Sequence, residues 1–169
     1  MVLYPEIVIA GCGNPLFADD GYGPAVAEEL KNLPFPDNVK VVDAGTSGTS
    51  HIFTLLDPER TKRLIIIDAV DFNAEPGSIA LFRPGDLPPG SYCDPFSWDI
   101  AGPLDLIKDR IDIRIIGCQP ERISYPDVAM GLSGEIRRAI PLTVKIVLDM
   151  IGGREETGRR IRKGRPVRP

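Results

Sequence analysis

The 169-residue chain is 43% hydrophobic and 26% charged, with a formal net charge of −4; these are the proportions of one soluble globular core, which excludes a disordered or fibrous chain. No apolar run reaches the roughly 20 residues that cross a bilayer, and "MVLYPEIVIAGCG" lacks the basic start and cleavage site of a secretory signal. A cytoplasmic protein with no membrane partner is expected.

The charge is unevenly spread. Residues 1–153 hold 13 Lys and Arg against 22 Asp and Glu, while residues 154–169 hold 7 against 2. An acidic body disfavours nucleic acid as a partner, and the short basic segment fits a solvated, mobile tail. A single α/β domain over 1–153 is expected, followed by that tail. The three cysteines, Cys12, Cys93 and Cys118, are an odd number in a chain without a secretion signal, so reduced thiols are expected.

In chain order, "EIVIAGC" (6–12) reads as a buried first strand, and Pro24–Leu33 as a helix with proline in its first turn. "VKVVDAG" (39–45) is a second strand and His51–Leu56 a short helix. "RLIIIDAV" (63–70) is a third strand, apolar throughout as in a sheet covered on both faces. "GSIALFRP" (77–84) is shorter and more polar and suits an edge. A long Pro/Gly-rich loop over 84–103 precedes a helix at Pro103–Arg110 and a further strand, "IDIRIIGC" (111–118). The last helix, Ser133–Ile151, contains Pro141, which should kink it, and Gly152-Gly153 should stop it. Strands alternating with helices predict a three-layer α/β/α sandwich around a five-stranded, twisted, mostly parallel sheet with one antiparallel edge strand.

Three of these strands lead into acid: Asp19 and Asp20 after the first, Asp43 in the second, Asp68 and Asp71 after the third. In a parallel sheet those ends share one edge, where open α/β folds bind ligands. Like charges gathered there must protonate, pair or bind a cation. No Lys or Arg occurs in 11–24 or in "IDAVDFNAEPG", which favours a cation. Each carboxylate also has a structural role open to it. Asp43 suits a turn, Asp19 suits a cap, and Asp68 is the hardest to explain structurally because it ends a continuous apolar run.

Standard motifs are absent. "GCGNPL" puts Leu16 where a dinucleotide fingerprint needs glycine, and no Walker lysine follows. A phosphate about 4 Å from one of these carboxylates would meet repulsion of about 4 kcal/mol at an effective dielectric near 20. Ser47 and Ser50 lie close in sequence to His51, the only histidine, but sequence adjacency does not build a nucleophile–base pair. His51 at a helix start also fits a capping role.

Together these residues resemble the [NiFe]-hydrogenase maturation endopeptidases. The family pattern G-x-G-N-x-L-x-x-D-[DE]-G-x-G is matched by Gly11, Gly13, Asn14, Leu16, Asp19, Asp20, Gly21 and Gly23. Asp43 to Thr46 match D-[AG]-G-T, and Asp68-Ala69 match the acid after the third strand. Gly117, Pro120 and Gly131-Leu132-Ser133 match the later G-x-x-P and G-L-[ST] motifs. The similarity runs from residue 6 to about 151, and its "GCGN…FADDGYGP" form is most like the branch serving coenzyme F(420)-reducing hydrogenase.

The resemblance implies a protease that clips the C-terminal extension from a hydrogenase large-subunit precursor after nickel insertion. It implies that the precursor carries the nickel and that no organic cofactor is held; a monomer is favoured. It gives Asp20 and Asp68 as catalytic and metal-contacting residues. The third family ligand is a histidine in S-x-H-x-x-G-L-x-D, where this chain has Ser97, Trp98 and Asp99. Asp99 is therefore the first candidate for that ligand, His51 the second and Cys93 the third. Two other readings fit the same acidic edge: a divalent-metal-dependent hydrolase of small molecules, and a non-cleaving partner in hydrogenase assembly.

Overall fold

The computed structural model describes residues 4–45, 48–87 and 101–153. Its apolar runs become five strands: β1 (Ile7–Cys12), β2 (Val39–Gly45), β3 (Arg63–Ala69), β4 (Ile79–Phe82) and β5 (Asp112–Cys118). They form one sheet in the order β2-β1-β3-β5-β4. The first four in that order are parallel, and β4 pairs antiparallel with β5 at the edge, as expected.

Alternate residues of the central strands feed two cores. Leu64 and Ile66 of β3 join Val8, Ala10 and Ile115 on one face, whereas Ile65 and Ile67 join Ile9 and Ile116 on the other. Both faces are apolar, so both must be covered. Helix α1 (Tyr22–Lys31) and helix α4 (Gly134–Ile151) cover one through Tyr22, Val26, Leu30, Ile136, Ala139 and Val147. Helix α2 (Gly48–Thr54) and the short α3 (Ala101–Asp105) cover the other through Ile52 and Leu104. Among the described residues no helix is long and apolar enough to cross a membrane.

Three local expectations change. The helix expected over 103–110 ends at Asp105, because the chain then follows i→i+3 turn bonds such as Ile107 N–H to Leu104 O (3.2 Å) and Arg110 N–H to Ile107 O (3.0 Å). Helix α1 begins two residues earlier than expected, at Tyr22. Helix α2 starts three residues earlier than expected, at Gly48, and ends at Thr54. Helix α4 continues through Pro141, which offers no N–H to the Arg137 carbonyl. It ends at Gly152, whose N–H bonds Leu148 O (3.0 Å), with Gly153 in the left-handed region at φ +67°.

The first glycine motif sets the distance between α1 and the sheet. A Cβ on Gly23 would lie 2.1 Å from the Cys12 carbonyl oxygen and 2.4 Å from that of Ile67. One on Gly11 would lie 2.2 Å from the Gly23 oxygen. Helix α1 thus rests backbone to backbone on β1 and β3, leaving no space for a side chain.

The turn before α1, Asp19–Gly21, holds down a distant loop. Asp19 is fully buried and its carboxylate accepts four hydrogen bonds. They come from the N–H groups of Glu121 (3.0 Å), Arg122 (2.8 Å) and Ser133 (2.7 Å) and from the Ser133 hydroxyl (2.8 Å). Asp19 therefore caps nothing in its own segment; it fastens the connection between β5 and α4.

Replacing Asp19 by Ala would leave these donors facing an apolar side chain. At 1–3 kcal/mol for each unsatisfied buried group, a loss on the order of 3 kcal/mol is expected, read as a lowered urea midpoint and faster amide exchange at 121, 122 and 133. A second expectation concerns pH. Burial, assisted by the Asp19 charge, raises the Cys118 thiol from 9.0 to about 12. Between those values the unfolded thiol releases a proton that the folded one keeps, so this contribution to stability is full below pH 9 and fades as pH rises toward 12. The urea midpoint should fall from pH 9 to 11 more steeply in wild type than in Cys118→Ala.

Candidate functional site

Parallel pairing brings the acidic strand ends together. Gly11 of β1 lies opposite Asp43 of β2 on one side and Ile67, the neighbour of Asp68, on the other. Asp68 itself pairs with Gly117 of β5. The turn carrying Asp20 packs against β3. Asp20 and Asp68 are both 3% exposed, whereas Asp43 is open to solvent.

Cys12, the last residue of β1, marks the meeting point. Its thiol is pushed well above its ordinary value, first by burial and then by the negative fields of Asp68, Asp43 and Asp20 in that order. Three carboxylates from three separate segments thus act on a single sulfur. A thiol so placed keeps its proton at neutral pH and is no nucleophile.

Asp20 and Asp43 each accept a backbone N–H. The Asn14 N–H donates to Asp20 Oδ2 (2.9 Å), and the Asn14 side chain accepts the Leu16 N–H (3.0 Å). Gly13 holds this loop in a conformation with φ +128°, where a Cβ would fall 1.9 Å from the Asp20 carbonyl oxygen. Asp43 Oδ1 accepts the Gly45 N–H (2.9 Å), the turn role that its sequence context allows. Gln119 organises the chain just beyond Asp68. Its side-chain oxygen accepts the N–H groups of Phe72 (2.9 Å) and Ala74 (3.2 Å), and its amide donates to Asp71 Oδ1 (3.1 Å). Asp71 also accepts the Asn73 N–H (3.1 Å).

The glycines of the first motif are committed internally. Gly11 and Gly23 abut each other, and Gly13 abuts Asp20. They shape the loop that carries Asp20.

The third-ligand candidates are placed differently. Asp99 and Cys93 lie outside the described residues. His51 is exposed on α2 with its carbonyl accepting the Thr54 hydroxyl (2.7 Å). Among the described residues no three His, Cys, Asp or Glu side chains are arranged to hold a metal ion. What the described residues supply is a pair of buried carboxylates, Asp20 and Asp68, at the carboxyl end of the sheet.

Sequence reasoning did not single out Cys12 or Gln119. The first looked like one more core residue, and the second carries no signal beyond being polar after an apolar strand.

Residues 24–150 match the family model for hydrogenase maturation proteases. The coenzyme F(420) hydrogenase subunit delta of Methanothermobacter thermautotrophicus is 44% identical over 151 residues, which cover 87% of this chain and 95% of that protein. A putative hydrogenase maturation protease of Methanocaldococcus jannaschii is 40% identical over 152 residues, 86% of this chain and 96% of its own length. The hydrogenase maturating endopeptidase HybD of Escherichia coli shares the fold, with a TM-score of 0.73 at 23% identity over 89% of this chain and 94% of that one. The chain belongs to the hydrogenase maturation protease family.

Proposed function

We propose that this protein removes the C-terminal extension from a [NiFe]-hydrogenase large-subunit precursor once nickel has been inserted, and that its substrate belongs to a coenzyme F(420)-reducing hydrogenase. Processing of the large subunit is the family's role, and the 44% identity to an F(420) hydrogenase subunit supports the narrower assignment. The observation that carries the reading is that parallel pairing sets Asp68 at the same end of the sheet as the turn of Asp20, which packs on β3, with both carboxylates buried.

The nickel is part of the substrate, held by the precursor's own cysteine thiolates. Asp20 and Asp68 approach it as oxygen ligands, with Asp99 as the first candidate for a third, so that only a loaded precursor is seated. The metal polarises the scissile carbonyl, water adds to the carbonyl carbon, and a carboxylate accepts the water's proton. That proton then passes to the departing amide nitrogen, leaving a new carboxylate on the shortened subunit and a free amine on the released peptide. The partner is the precursor, and the place of action is the cytoplasm.

A nickel-loaded precursor incubated with the protein should shorten at its C-terminus while the nickel-free form stays intact, as read by intact-mass spectrometry. Cleavage of both forms alike would overturn the role given to the metal. Turnover of small amides or phosphoesters with added manganese or zinc, in place of precursor cleavage, would overturn the protease reading itself. Asp20→Asn and Asp68→Asn should each reduce processing at least a hundredfold with unchanged thermal unfolding; retained processing in both would remove these residues from the mechanism. Cys12→Ala should process within a few-fold of wild type, and the native thiol should resist iodoacetamide at pH 8 until the protein is unfolded.

A further inference from the structure

The connection between β5 and α4 is fastened to the first motif by backbone as well as by Asp19. The Ala129 N–H donates to Leu16 O (2.9 Å), and the Ala18 N–H donates to Ala129 O (2.7 Å), which makes one parallel bridge between Phe17 and Ala129. A bridging residue directs its N–H and C=O to one side, and the groups of its two neighbours face the other. Those neighbours are Val128 and Met130. Among the described residues, neither makes a hydrogen bond through its N–H or C=O.

Their side chains are equally open. Val128 is 66% and Met130 73% exposed, and Leu16 and Tyr125 beside them are exposed as well. Large apolar side chains at alternate positions along an unpaired strand edge invite another chain to pair there. Proteins blunt unused edges with charge or proline; Pro126 and Asp127 precede this one, and the edge itself, 128–130, is Val-Ala-Met.

We propose that the Val128–Met130 edge, with Leu16, receives an extended apolar segment of the large-subunit precursor by strand addition. This rests on the reading that the precursor is the substrate. An extended polypeptide is the partner whose own N–H and C=O groups satisfy the open ones, while its alternate side chains cover Val128 and Met130. A second copy of this chain is a poor occupant. A three-residue edge buries far less than the roughly 1,200–2,000 Å² of a stable interface, whereas a substrate segment needs only to be oriented.

The edge is also mechanically continuous with the carboxylates. Leu16 lies two residues after Asn14, whose N–H holds Asp20, and Asp19, the neighbour of Asp20, grips the amides of Glu121, Arg122 and Ser133. One turn therefore sets both the docking edge and the acid, so a segment paired on the edge is registered against the site.

The test compares wild type with Val128→Glu/Met130→Glu, both at exposed positions, on nickel-loaded precursor. The double variant should unfold at the wild-type temperature, raise KM at least tenfold and keep kcat within twofold. In wild type, precursor should slow amide exchange at residues 128 and 130, and the double variant should lose that protection. Wild-type cleavage with an unchanged KM in the double variant, or with no protection at 128 and 130, overturns the docking edge and leaves the protease reading in place. Protection at 128 and 130 without any cleavage overturns the protease reading and keeps the edge. Protection that arises without precursor, through self-association seen by sedimentation, overturns the edge as a substrate site.

Discussion

The structure depends on one close approach. The first turn of α1 lies on the carbonyl groups of Cys12 and Ile67 with only hydrogen at Gly23 to separate them. A Cβ at that position cannot be accommodated by rotating a side chain, because backbone is what it would strike. That approach pulls the Asp19–Gly21 turn down onto the carboxyl ends of β1 and β3, and every other feature of the acidic edge follows from where the turn is held.

Two adjacent carboxylates then divide the work. Asp19 turns inward and spends both oxygens on four donors from the β5–α4 connection. Asp20 accepts the Asn14 N–H and, with Asp68 and Asp43, places its negative charge near Cys12. A buried carboxylate that gathers donors from a distant loop holds structure together. The difference arises within one turn of chain, from the direction in which each side chain leaves it.

Most of the sheet was legible because a strand buried on both faces must be apolar throughout, and "RLIIIDAV" and "IDIRIIGC" are. The edge position of β4 was legible from its shortness. The roles of Asp19 and Asp20 were not separable from sequence alone, since the donors that distinguish them come from residues 121, 122 and 133, about a hundred positions away. The need for glycine at 11, 13 and 23 shows only in the structure, where neighbouring backbone occupies the place of a side chain at each. The Phe17–Ala129 bridge left no mark in the sequence at all, because a single bridge has no period.

Arg63 stands at the opposite end of β3 from Asp68. Its guanidinium holds Asp112 and donates to the Met150 carbonyl (2.8 Å), pinning the last turn of α4 there. Five residue steps separate Arg63 from Asp68, about 17 Å at roughly 3.3 Å per residue. The last turn of α4 is accordingly held at the pole of the sheet remote from the acids. A fluorescent label on Gly152→Cys, an exposed position at the end of that helix, would therefore sit on the far side from the acids and could follow a processing complex without crowding them.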